Sequence, residues 1–351
     1  MYAWITLPFL FLAAPLLAQQ APTPQAKTMQ QLTEYLGRQG QDPGSYLVSK
    51  VDRYPLVILG ADLYVAQHVE FLTTQLPALV EQGLQILVLD QFSTARQKEL
   101  DDYLAAAKPR PDLLTSILNS ASDPTGFGYT AYVALFEKLR TLHQNTPAAM
   151  QRLRVVLADL PVDWAVAAGE KQQIEAYYRQ RSAHIADFVE REAFGSPGRT
   201  LLFTSYEQAL FRFGQSTANL LSGRGRAASM FTLVLNDVDR DPKSKRKTPL
   251  CEGAIDSALR LHKKTPRGFD LEKSPFGRLP RCYRLDPAFA PIKDTPWPLQ
   301  HAYQGMIYLV PPAEYRCLEP APGFFTDEQT REKVLERNRF YCAPLPSGHH
   351  E

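Results

Sequence analysis

The chain has 351 residues, 44% of them hydrophobic and 22% charged, with a formal net charge of +2. That apolar fraction can build a substantial core, which excludes a largely disordered chain. So small a net charge gives no global argument for nucleic acid as a partner.

The first 18 residues, MYAWITLPFLFLAAPLLA, hold no Lys, Arg, Asp or Glu. They are too short, and too broken by Pro8 and Pro15, for a comfortable membrane span. Small Ala18 precedes polar Gln19 and offers a cleavage point. Residues 1–18 therefore read as a signal peptide, with the mature chain periplasmic or secreted and not membrane-spanning after cleavage. No cysteine lies near that point to carry a lipid. Residues 19–47 read as a polar leader with a short helix around Met29–Leu36.

Buried strands and helices then alternate. LVILG after Pro55 is a β-branched apolar run that stops at Gly60, and residues 64–82 follow with helical apolar spacing. ILVLD ends a second strand at Asp90, and a helix runs from Ala95 to Ala107. Residues 110–150 read as helical. A third strand ends at Asp159, and Gln172–Phe194 is a long amphipathic helix. A fourth strand ends at Ser205, with a helix to Leu221, and further strands occupy 229–235 and 305–311. Strands separated by helices imply parallel pairing, because parallel strands need a crossover. The expected fold class is α/β, a mostly parallel central sheet flanked by helices. Residues 48–235 plus 301–315 form its core domain.

Residues 236–300 read as a solvated, Pro-rich basic insertion, and 316–351 as a C-terminal tail. From Arg240 to Arg284 there are 13 Lys or Arg against 5 Asp or Glu. An anionic envelope component is the partner that such a patch would suit, and few aromatics interleave to stack on single-stranded nucleic acid. The four cysteines, Cys251, Cys282, Cys317 and Cys342, all lie in these last segments. In an exported chain they read as disulfides. Three connectivities exist, and Cys251–Cys282 with Cys317–Cys342 closes the shortest loops. The spacings contain no C-x-x-C, which disfavours zinc.

In an open parallel sheet, ligands bind beyond the carboxyl ends of the strands. Those ends deliver Gly60, Asp62 and Tyr64, with His68 one turn on; Asp90; Asp159 and Asp163; and Ser205, Tyr206, Glu207 and Gln208. Arg181 and His184 sit on the long helix within reach. Asp62 can also cap the helix that follows it, and His68 and His184 read more simply as helix-surface or capping residues. No G-x-S-x-G elbow, H-E-x-x-H or Walker loop occurs.

LVILGADLYVAQHVEFL resembles the opening of the erythromycin-esterase, ChaN (haem-binding uptake) and Tiki superfamily, a strand ending in L-G-E-x-H followed by a helix with further His. LVLDQFSTARQKELDDYL is similar to its second strand, L-E-M-F. RSAHIADFV is similar to its R-x-x-x-M-A helix. TLLFTSYEQALFRFGQSTANLL is similar to its G-x-G-H strand and G-T-x-L helix start. The resemblance covers about 50–235 and the strand near 305–311. Gly60, Arg181, Gly214 and, loosely, His68 are kept. Ala61 and Leu63 stand where the family carries Glu and His, Asp90 replaces a Glu, and Gln208 a His. In the family these positions are implied to activate water, directly or through a divalent metal, and Ala and Leu can do neither.

The resemblance therefore implies a non-catalytic member that binds a small molecule. Gly60, Asp62, Tyr64, His68, Asp90, Asp159, Arg181, His184, Tyr206 and Gln208 are its candidate contacts. Haem is the ligand the family suggests, with Tyr64, Tyr206, His68 or His184 as iron contacts; a divalent metal is less favoured. The alternatives are an active hydrolase with a rearranged set (Asp62, Asp90, Asp159, Glu207 and His68) and an envelope partner-binding protein that uses the basic insertion.

Overall fold

The apolar runs become strands because their side chains point alternately to two faces, and both faces are covered. In the computed structural model, residues 24–146, 153–164, 171–195, 198–212, 214–240, 247–263, 266–280 and 297–342 are described. The signal-peptide expectation for 1–18 lies outside them. The chain opens with helices α1 (Pro24–Gln39) and α2 (Pro43–Arg53), then strand β1 (Leu56–Ala61) and α3 (Ala66–Glu81). Strand β2 (Leu84–Ser93) leads to α4 (Gln97–Ala105), α5 (Pro111–Asn119) and α6 (Thr130–Asn145). Strand β3 (Arg154–Asp159), α7 (Lys171–Phe194), β4 (Arg199–Ser205), α8 (Thr217–Leu221) and β5 (Met230–Leu235) follow. Then come β6 (Val238–Arg240), β7 (Lys247–Pro249), α9 (Ala254–Leu261), β8 (Arg267–Asp270), α10 (Leu299–Ala302), β9 (Gly305–Tyr308) and α11 (Glu328–Cys342).

Seven strands form one sheet in the order β3-β2-β4-β1-β5-β9-β8. Six pair in parallel, and β8 closes one edge antiparallel to β9. Val57, Leu59 and Ala61 of β1 pack in one apolar cluster with α2 to α6. Leu56 and Ile58 pack in the other, with α1, α7, α8 and α9. The expected α/β class and its mainly parallel sheet are present.

Several boundaries differ from those expected. The stretch 110–150 is broken between α5 and α6, where Gly126 takes φ 75, a left-handed conformation that ends regular helix. The helix after β4 is delayed to Thr217, since Gly214 at φ 61 turns the chain first. Helix α2 was not anticipated, although its start carries a clear signal. Asp42 caps it by accepting from the Ser45 amide at 2.9 Å, with Pro43 in the first turn. The helix expected around Met29–Leu36 is longer and holds Leu32 and Leu36 fully buried.

Segment 236–300 is not simply solvated. It supplies β8, and Phe269, Leu271 and Phe276 are buried in the core. Lys247, counted in the basic patch, is also buried, and its Nζ donates to the Arg339 carbonyl at 3.0 Å. The charged composition hid three aromatic and aliphatic anchors that close the sheet. Likewise, the C-terminal tail carries α11, with Val334 and Asn338 buried. The expected cysteine pairs reach outside the described residues, which include neither Cys282 nor the side chain of Cys342. No helix among the described residues is long and apolar enough to cross a membrane.

Candidate functional site

Because β1 to β5 run parallel, their carboxyl ends share one edge of the sheet. Asp159 ends β3 there, and Asp90 lies three residues before the end of the adjacent β2, which runs on past the expected stop to Ser93; both are essentially inaccessible, Asp90 at 0% and Asp159 at 1% exposure. Arg181, 7% exposed, reaches them from α7. Its Nε donates to Asp159 Oδ1 at 2.8 Å, and its Nη2 donates to the Asp90 carbonyl at 2.6 Å and lies 3.6 Å from Asp90 Oδ2. Tyr177, one helical turn before Arg181, donates its hydroxyl to Asp159 Oδ2 at 2.8 Å, and the Leu160 amide donates to Oδ1 at 2.8 Å. The Thr204 hydroxyl, from the strand between β2 and β1, donates to Asp90 Oδ2.

Two carboxyls thus share one guanidinium in a water-poor interior. Burial pushes Asp90 up to about 6, against the pull of Arg181 and the Thr204 hydrogen bond, with Asp159 adding to the rise. Burial also raises Asp159, opposed by Arg181 and Tyr177. Burial alone would lower Arg181, but Asp159 and Asp90 overcome it and hold the guanidinium charged. The group is a buried ion-pair network with the geometry of a clamp between strands and helix.

Gln208 is occupied in the same way. Its Nε2 donates to Ser182 Oγ at 2.9 Å, while its Oε1 accepts from the Thr217 amide at 3.0 Å and the Thr217 hydroxyl at 2.8 Å. It ties the start of α8 to α7. Gly60 has a packing role. A Cβ there would sit 2.7 Å from Ala209 Cβ and 3.1 Å from Tyr206 Cα, so the turn after β4 can approach β1 only at glycine.

At the end of β1, Asp62 does not cap α3, whose N-cap is Val65 without a side-chain bond. Its Oδ1 instead accepts from the Tyr64 amide at 2.9 Å, and its own amide donates to His68 Nδ1 at 3.1 Å. His68 is fully buried, not a surface residue, and meets the Tyr315 ring edge-on at 5.7 Å. Residues 315–321 cross this region as a strap. The Ala66 amide donates to the Arg316 carbonyl, the Leu318 amide to Tyr64, the Thr130 amide to Glu319 and the Ala321 amide to Gly128. Beneath the strap, the Tyr64 hydroxyl donates to Asp123 Oδ2 at 2.6 Å, and Arg337 of α11 grips both Asp123 oxygens at 2.5 and 2.6 Å.

The four residues named as iron contacts do not converge. Tyr64 packs against the core cluster of the α3 face, where His68 also lies, whereas Tyr206 belongs to the cluster of the opposite face, where α7 carries His184. The Tyr64 hydroxyl is held by Asp123, and Tyr206 is buried. These donors do not fit a haem iron. Nor do any three or more His, Cys, Asp or Glu side chains among the described residues lie where they could hold a metal ion. Glu207 is half-exposed beside the network and raises Asp90 slightly. His184 is also half-exposed, with its imidazole lowered by burial.

Sequence reading missed Tyr177, Ser182, Thr204, Thr217 and the Asp123–Arg337 pair. Tyr177 was accessible from its i−4 spacing to Arg181 on one helix face. Arg337 was not, because α11 is polar on most of its faces.

The overall fold is similar to that of an erythromycin esterase. Three solved structures of this shape cover most of the chain. A succinoglycan biosynthesis protein aligns at TM-score 0.57 and 9% identity, over 83% of this chain and 98% of that one. A mutant of erythromycin esterase EreC in its open conformation aligns at TM-score 0.52 and 12% identity, over 75% and 92%. A Bacillus cereus protein aligns at 0.51 and 12%, over 80% and 97%. No protein-family model and no curated protein matches the sequence.

Proposed function

We propose that this chain is an exported, non-catalytic protein of the erythromycin esterase/ChaN-like fold that binds a small ligand at the carboxyl edge of its sheet. The observation that carries the reading is the closed network at the centre of that edge. Arg181 binds the Asp159 carboxylate and the Asp90 carbonyl, and Gln208 beside them is taken up by Ser182 and Thr217. Residues 61 and 63, where the family resemblance implies Glu and His, are Ala61 and Leu63, packed in the core. A water-activating base at either place is therefore missing, and such a base ordinarily contributes about 10²–10⁴-fold.

One observation favours hydrolysis instead: Asp90, at about 6, has the proton affinity of an acid–base catalyst. Its carboxyl is sealed from solvent, so it supports the lesser reading. The exported state would suit the two disulfides, Cys251–Cys282 and Cys317–Cys342, and no free cysteine occurs among the described residues. Exposed Arg260, Lys263, Lys273 and Arg278 are the remaining described basis for contact with an anionic envelope component.

Purified protein incubated with a macrolide lactone and with peptides, with and without added divalent metal, is expected to show no turnover above the Asp90→Asn variant. Turnover at ordinary enzyme rates, abolished in that variant, would sink the non-catalytic reading.

A further inference from the structure

We infer that the corner where α1, α9 and β8 meet docks on an anionic lipid surface, with Leu261 entering the apolar layer and Arg260, Lys263 and Arg267 at the headgroup phosphates; this deepens the envelope contact named above and is separate from the small-ligand reading. Strand β8 is the outermost strand on the side of the sheet away from β3. Helix α9 ends shortly before it, and the side chains that follow close on the end of α1. A Cβ on Gly37 would lie 3.8 Å from His262 Cε1, and one on Gly40 would lie 2.9 Å from Arg267 Cδ. Burial lowers the His262 imidazole, and Arg267 and Lys263 are near enough to lower it further. Arg260 and Lys263 are exposed. Leu261 between them, 64% exposed, is the most exposed large apolar side chain among the described residues.

One exposed leucine is ordinary on a protein surface. The backbone that follows it is not. Lys263 takes φ 63, the left-handed position just past a helix end that glycine commonly fills, because a Cβ is disfavoured there. Glycine would hold this turn at least as well, so the charge, not the turn, accounts for the lysine. A cation suits the end of a helix, but Arg260 already supplies one in the last turn of α9. Lys273, beyond β8, repeats the pattern at φ 58 with a side chain 90% exposed. Of the four non-glycine residues with positive φ among the described residues, two are thus exposed lysines of this segment.

The mixture of charge and apolar surface selects a bilayer over a soluble anion. Arg and Lys reach headgroup phosphates while their stems lie along the interface, and an apolar side chain set among them gains by entering the acyl boundary. A soluble polyanion would engage the cations and leave Leu261 in water. Each Lys or Arg near an anionic surface strengthens binding about fivefold, within a Debye length. With Leu261 buried as well, the three cations should bring the protein to half-saturation at about 1 mM accessible lipid.

The test is co-sedimentation with vesicles of the mature chain from Gln19, so that the apolar residues 1–18 do not themselves insert. Vesicles of equal parts phosphatidylglycerol and phosphatidylcholine are expected to bind it, and pure phosphatidylcholine vesicles at least about tenfold less. Lys263→Gly should weaken binding about fivefold, with the melting temperature held or raised. Leu261→Ser, at an exposed position, should weaken it about tenfold with the fold untouched, and added salt should release the wild type. Binding that ignores the lipid charge, or that survives both substitutions, would overturn the inference. So would binding of soluble dextran sulfate that matches the vesicles and is unchanged by Leu261→Ser, since an anionic polymer would then be the partner. None of these outcomes touches the carboxyl edge, so the small-ligand reading stands or falls separately.

Discussion

Two arginine clamps close the carboxyl edge of this sheet, and they differ in depth. Arg181 lies between Asp159 and Asp90 with a side chain 9% exposed and partners at 1% and 0%. Arg337 holds Asp123 with exposures of 22% and 12%. The first joins β2 and β3 to the helix between β3 and β4. The second joins a C-terminal helix, distant in sequence, to the loop before α6. The deeper clamp is part of what makes the sheet edge stable, whereas the shallower one fastens a cover over the end of β1. An edge that in this fold gathers polar groups is thus closed twice, by an interior charge network and by an added strap.

The sharpest way to break this comparison is to remove Arg181. Arg181→Leu leaves two buried carboxyls without their counter-charge, and loss of one member of a buried pair typically costs about 3–5 kcal/mol. Urea unfolding at neutral pH should show a loss of that order, and a smaller loss near pH 5, where Asp90, at about 6, is largely protonated. A loss under about 1 kcal/mol, the range of exposed pairs, would show that the network is not a structural clamp.

Acid should sharpen the contrast from the other direction. Asp90 is raised from its ordinary 3.8 to about 6, so the folded protein binds this proton more tightly than the unfolded chain does. The stability that comes from the protonated group is complete below about pH 4 and is lost as pH rises through about 6. The shift corresponds to about 3 kcal/mol across that window. Melting curves of the wild type should show this component as a fall in stability from pH 4 to 6, and the Asp90→Asn variant should lack it. Identical pH profiles for the two proteins would contradict the assignment of the raised carboxyl to Asp90.

The sheet was legible because its strands are apolar on both faces. LVILG, ILVLD and LRVVLAD have no reading as surface segments, and the carboxylate endings of the last two placed Asp90 and Asp159 on one edge once parallel pairing followed from the intervening helices. Arg181 was legible as a residue of the long helix within reach of that edge. The closing pieces were not. Strand β8 is four residues within a basic stretch, and α11 has no apolar stripe, so neither has a period that announces burial. The internal bonds of His68 and Gln208 were hidden for a different reason. Only tertiary packing brings the Asp62 backbone to one and Ser182 and Thr217 to the other.

The strap offers the smallest and most local effect. Arg337→Met keeps most of the apolar stem over the Tyr64 ring, which the guanidinium now faces at 5.1 Å, but removes the charge from Asp123. Because the pair is partly solvated, its removal should cost about 2 kcal/mol, between the ranges for exposed and buried pairs. The loss should also be regional. Amide exchange should quicken in 123–130 and 316–338, where the strap and α11 are tied down, and stay unchanged around Asp159 and Arg181. The physical reason is that the Arg337 contacts, to Asp123, Thr125 and Tyr129, lie on the α6 side of the edge, and none reaches the Asp159–Arg181 network. If exchange instead rises equally at both places, the clamps form one cooperative unit, and the strap is part of the core rather than a cover upon it.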